Sequence, residues 1–122
     1  MLASCRMNGF VPTKDPAQAR HFYEEVLGLT FVDENPFVVM FRGNQAMVIA
    51  QKMSQFVPAT YTVLGWEVED IEDTVSRLTN KGVLFERYPW MEQDEMGIWN
   101  SSDGKVAWFK DPDGNILSVS QH

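Results

Sequence analysis

The stretch DPAQARHFYEEVLGLTF, Asp15–Phe31, decides the fold, because residues 70–85 repeat its grammar. In both, an apolar strand ends in acidic residues, a helix follows, a glycine stops it, and a strand carrying phenylalanine comes next. The first version uses Asp15, Gly28 and Phe31. The second uses Glu69–Asp70, Gly82 and Phe85. Each half then reaches a Gly-Asn turn, Gly43–Asn44 and Gly114–Asn115, and a strand ending in Gln51 or Gln121. Two copies of a strand–helix–three-strand unit can pair curved sheets around a shared cavity, so function is to be sought in the residues lining it.

Local chemistry supports each helix. Asp15 is placed to cap the first, and Pro16 falls at its first position, where a missing N–H costs nothing. Ala19, Phe22, Tyr23, Val26 and Leu27 follow helical spacing and form one stripe. Asp70 caps the second helix, Glu72 and Asp73 suit its first turn, and Ile71, Val75 and Leu78 form its buried stripe. Gly28 and Gly82 provide left-handed stops. Strands are expected near Arg6–Val11, Thr30–Asp33, Phe37–Arg42, Ala46–Lys52, Thr62–Val68, Leu84–Glu86, Val106–Lys110 and Ile116–Ser120. The segment Asp111–Gly114, DPDG, reads as a hairpin turn. Module one spans about 1–52, a linker 53–60, and module two about 61–122. Module two carries an extra stretch, Tyr88–Asp103, holding Trp90, Met91, Glu92, Asp94, Glu95 and Trp99. A long aromatic loop in a small domain points to function.

Composition narrows the function classes. The chain has 122 residues and fits one small domain. Its net charge of −7 disfavours nucleic acid and anionic membranes as partners, since both reward clustered cations. An acidic surface suits a cationic ligand or simply solubility. No apolar run is long enough to span a bilayer, and the start MLASCRMNGF lacks the build of a signal peptide. The single cysteine, Cys5, forms no internal disulfide, and a cytoplasmic location is the expectation. His21 falls on the polar face of the first helix, His122 is terminal, and Cys5 has no neighbouring histidine. No phosphate cradle or nucleophilic triad can be assembled.

The segments DPAQARHFYEEVLGLTF, WEVEDIEDTVSRL and FKDPDGNILSVSQ, together with the tandem pattern, resemble the vicinal oxygen chelate superfamily of glyoxalase I, bleomycin resistance proteins and extradiol dioxygenases. The resemblance covers nearly the whole chain. It implies an α+β fold of two βαβββ modules forming an open half-barrel cup, in a homodimer. Metal-using members place a His or Gln on the first strand of each module and a Glu on the last. Those positions fall here at Asn8, Val63, about Val48, and Ser118. Valine has no donor atom, and asparagine and serine are weak neutral ones, so neither a metal nor another cofactor is expected.

With the family's ligand face as guide, alternation along the strands puts Val63, Gly65 and Glu67 in the cup, with Asn8 and Phe10 from the first strand and Ser118 and Ser120 from the last. Leu64, Trp66 and Val68 pack under the helices. Gly65 leaves room for a group to approach the backbone. Glu67 becomes a carboxylate in a partly apolar cup, available to a cationic ligand or paired with Arg6 or Arg87. Trp90 and Trp99 are placed to cover a flat ligand, while Trp108 suits either core or cup. Two readings follow. One is a metal-free binding protein for a small aromatic or cationic molecule. The other is a lyase, isomerase or dioxygenase-type enzyme using Glu67 as general base, or a metal held by other residues.

Overall fold

The structure is a computed structural model describing all residues, Met1–His122. The chain divides into two compact units, Met1–Pro58 and Ala59–His122.

In the first unit, β1 (Met7–Thr13) leads to α1 (Pro16–Arg20), which continues as a π-helical turn over His21–Val26. β2 (Thr30–Glu34), β3 (Val38–Arg42) and β4 (Ala46–Lys52) complete a sheet in the order β1-β4-β3-β2. Asp15 caps α1 by accepting from the Gln18 amide at 3.2 Å, and Gly28 ends the turn at φ 80°. The π-helical turn departs from the continuous α-helix that the spacing predicts. The Leu27 amide reaches back to the Phe22 carbonyl at 2.9 Å, which widens the turn. Ala19, Phe22 and Tyr23 are buried, and the Tyr23 ring lies 5.4 Å from Phe41 of β3. Val11, Val39, Phe41, Val48 and Ala50 join them in this core.

The second unit repeats the plan. β5 (Thr62–Glu67) and α2 (Ile71–Asn80) are followed by β6 (Trp99–Ser101), β7 (Gly104–Lys110) and β8 (Ile116–Gln121), with sheet order β5-β8-β7-β6. Asp70 caps α2 through the Asp73 amide at 3.1 Å, and Ile71, Val75 and Leu78 are buried against the sheet. Ala107, Phe109, Leu117 and Val119 meet them from β7 and β8. Two polar links tie helix to sheet. Gln121 Oε1 accepts from the Ile71 amide at 2.8 Å, and Lys105 pairs with Glu72 at 2.7 Å. The DPDG turn is buried at its root. Asp111 accepts from the Asp113 and Asn115 amides and from the Asn115 side chain, each at 2.9 Å.

One expected strand is not formed. Leu84 is exposed, and Phe85 makes only an isolated bridge to Phe109. The sheet position equivalent to β2 is taken instead by Trp99–Ser101, inside the stretch read as a loop. Hydrogen bonds explain the route. Gln93 accepts from the Tyr88 amide and donates to the Glu86 and Gly97 carbonyls, and Asp94 accepts from the Met96 and Ile98 amides. The segment therefore folds on itself and delivers Trp99 to the sheet edge. Asp94 organises the turn rather than offering a free acidic ligand.

Candidate functional site

Each sheet has one face under its helix and one face turned away from it. Register assigns every strand residue to a face, because paired neighbours point the same way. In the second unit, Lys105, Ala107, Phe109, Leu117, Val119 and Gln121 lie under α2. The opposite face carries two rows. One runs Gly65, Ser118, Trp108, and the other runs Glu67, Ser120, Val106, Trp99. This settles Trp108, which belongs to the face turned away from α2.

The tryptophans are joined through a residue that the sequence reading passed over. Trp99 and Trp108 have ring centroids 6.3 Å apart, Trp108 meets Tyr88 edge-on at 5.7 Å, and Tyr88 stacks on Trp90 at 5.0 Å. The result is a continuous aromatic run along one side of the face. Trp90, at its outer end, is 74% exposed and offers a ring face to solvent. Partial burial, and then the charge of Glu86, push the Tyr88 phenol above its ordinary range, so it stays neutral and keeps a proton to donate. Trp108 was legible in principle. The DPDG hairpin fixes Lys110 opposite Ile116, and stepping back by two puts Trp108 opposite Ser118.

The polar residues differ from expectation in detail. Ser118 does sit centrally, between Gly65 and Trp108. The space above Gly65 is not open to a ligand, however. A Cβ there would lie 2.7 Å from Ser118 Oγ, so the serine hydroxyl occupies it. Val63 falls in a register irregularity between Thr62 and Leu64, and Thr62 pairs with Ile116 in its place. The bulge breaks the alternation of β5 at Val63. Glu67 keeps its face but is exposed. Its partner is neither Arg6 nor Arg87 but His122, whose Nδ1 lies 2.6 Å from Oε1. Arg87 instead donates to the Glu95 carbonyl.

In the first unit, Asn8 and Phe10 share the face turned away from α1. They stand opposite Met47 and Ile49. Phe10 is 55% exposed. Val48 pairs with Gly9 and Phe41, is buried on the helix side, and so is not a face residue. The correction is one residue in either direction, to Met47 or Ile49, and neither is a metal ligand of the oxygen or imidazole kind.

The family's metal chemistry does not fit these residues. Asparagine, threonine, methionine or isoleucine, and serine stand at or beside the carried-over positions. Nowhere in the structure do three or more His, Cys, Asp or Glu side chains converge in a group able to hold a metal ion. A divalent ion needs such convergence to repay its dehydration.

A model of the Glyoxalase/Bleomycin resistance protein/Dioxygenase superfamily matches residues 5–119. Comparison with curated proteins finds no sequence relative. Among solved structures, the chain is similar to a lactoylglutathione lyase from Agrobacterium tumefaciens, at 17% identity and TM-score 0.75, covering 99% of this chain and 96% of that one. It is similar to a glyoxalase family protein from Enterococcus faecalis, at 20% identity and TM-score 0.76, covering 98% and 99%. It is also similar to TnmS3, an antibiotic binding protein from Streptomyces sp. CB03234, at 23% identity and TM-score 0.70, covering 99% and 98%. Identities this low carry the fold alone. The family match over almost the whole chain carries the membership: the chain belongs to the glyoxalase/bleomycin resistance/dioxygenase superfamily.

Proposed function

We propose that this member of the superfamily is a metal-free binding protein for a small planar aromatic molecule, with a cationic group as an added recognition element. The observation that carries this reading is the aromatic run Trp99–Trp108–Tyr88–Trp90 beside Ser118 and Ser120. Stacked and edge-on rings provide large contact area at low entropic cost, and the hydroxyls supply orientation. Glu67 lies on the same face, two strand spacings or roughly 10 Å from the Trp108 strand. A ligand touching both is therefore several rings long. That an antibiotic binding protein shares the fold is compatible with this use of it.

The enzyme alternative has less support. Glu67 is exposed and hydrogen-bonded to His122, which is a poor setting for the desolvation that makes a carboxylate a strong base near neutral pH. We further propose a cytoplasmic homodimer. Phe37, Val57 and Leu84 are exposed apolar side chains of a kind that self-association covers. Light scattering at micromolar concentration tests this, and a monomer refutes it.

The binding reading is tested by thermal shift against a panel of polycyclic aromatic molecules with and without an amine. Stabilisation by planar compounds is expected, because a ligand that binds only the folded state raises its melting temperature. Ni²⁺, Zn²⁺ and Fe²⁺ are expected to give no specific shift. One tightly held metal per purified chain by elemental analysis refutes the metal-free assignment.

A further inference from the structure

We infer that the first unit holds a second binding site, for the oxyanion group of a small molecule, phosphate or carboxylate. It lies at the end of the sheet where β1 begins and the β3–β4 turn closes, with Met7 paired to Ala46. An open hollow of about 430 Å³ is found there, lined among others by Ser4, Cys5, Arg6, Arg42, Asn44 and Gln45.

Charge distinguishes this hollow. The chain has five arginines. Arg20 pairs with Glu24, Arg77 with Asp73, and Arg87 donates to the Glu95 carbonyl. The Arg6 and Arg42 side chains have no ion-pair or hydrogen-bond partner, and both residues line this one hollow. No carboxylate lines it, although the chain carries 17 acidic residues. In a protein of net charge −7, two unpaired arginines sharing an acid-free hollow mark a local reversal of the field. A guanidinium presents paired N–H groups that match the two oxygens of a carboxylate or phosphate, and the Asn44 and Gln45 amides add neutral donors. This inference does not depend on the function assigned to the aromatic face of the second unit.

Cys5 supplies the readout, because it is the single cysteine, is exposed, and lines the hollow. The experiment compares alkylation of Cys5 by iodoacetate, a carboxylate, and by iodoacetamide, its neutral analogue. The ratio of the two rates cancels any change in thiol reactivity. It is expected to fall about threefold in Arg6→Gln/Arg42→Gln, the scale of exposed charge contacts. It should stay unchanged in Arg77→Gln/Lys81→Gln, which removes the same charge elsewhere. Inorganic phosphate or succinate should slow iodoacetamide in the parent protein at constant ionic strength. Protection by phosphate alone assigns a phosphate ester as the ligand class, and protection by succinate alone assigns a carboxylic acid. Equal rate ratios in the two double variants, or protection matched by chloride, overturn the site. Both arginines are exposed, so the variants are expected to fold, and unchanged circular dichroism checks that.

Discussion

Nδ1 of His122 lies 2.6 Å from Oε1 of Glu67, so the carboxylate at the end of β5 is held by an imidazole just past the end of β8. The packing around this pair is close. A Cβ on Gly104 would fall 2.9 Å from the His122 ring, so the neighbouring strand offers the imidazole a seat that only glycine leaves open. The pair is nonetheless at the surface, with side chains 58% and 68% exposed.

Replacing Glu67 with glutamine should therefore cost less than about 1 kcal/mol in stability, as surface pairs do. Affinity for a cationic aromatic ligand should fall by about 1 kcal/mol, while a neutral analogue should bind as before. Urea denaturation and calorimetric titration measure the two effects. A stability loss above about 2 kcal/mol would show that the pair is structural.

Removal of aromatic rings should act on charged and neutral ligands alike. Trp108→Ala should weaken binding most, by about 2–3 kcal/mol, because Trp108 touches both Trp99 and Tyr88. Trp99→Ala should follow. Trp90→Ala should cost least, as its exposed ring is held only by Tyr88. A reversed order in calorimetric titration would place the ligand on the outer loop rather than on the sheet.

Gly65→Ala should destabilise by about 1–3 kcal/mol, since its new methyl meets the Ser118 hydroxyl at 2.7 Å. The loss should be largely recovered in Gly65→Ala/Ser118→Gly. Additive losses in that double-mutant cycle would disprove the contact as the cause.

The Glu72–Lys105 pair predicts a pH dependence. The Lys105 hydrogen bond holds the Glu72 carboxyl below its ordinary range, and the same bond holds the Lys105 ammonium above its own. The glutamate contribution is present above its unfolded-state value and is lost as pH falls through the folded one. The lysine contribution is present at neutral pH and is lost as pH rises past the ordinary lysine range. Lys105→Met should therefore give a shallower fall in melting temperature between about pH 5 and pH 3. An unchanged slope would assign that fall to other carboxylates.

The helices, their acidic caps and glycine stops, and seven of the eight strands were legible within a residue or two. Each rested on local chemistry: Asp15 and Asp70 as caps, DPDG as a turn, and alternation in between. β1 runs on two residues past its predicted end, through Pro12 and Thr13. β6 was not legible, because three residues hold no periodicity, and what places them is the side-chain hydrogen-bond network of Gln93 and Asp94 in the preceding turn. Strand register hid other details of the faces. A bulge breaks the alternation at Val63 and a one-residue offset changes which side Val48 takes, and single-strand alternation cannot see either. His122 as the partner of Glu67 depends on β5 and β8 lying side by side.

That adjacency also sets an order of events during synthesis. In each unit the first strand made lies next to the last, β1 beside β4 and β5 beside β8. A nascent unit must then hold its opening strand unpaired until its closing strand leaves the ribosome. Such distant pairing slows folding and lengthens exposure of apolar edges. The first unit can close once Lys52 has emerged, whereas the aromatic face cannot form until β8 has been translated.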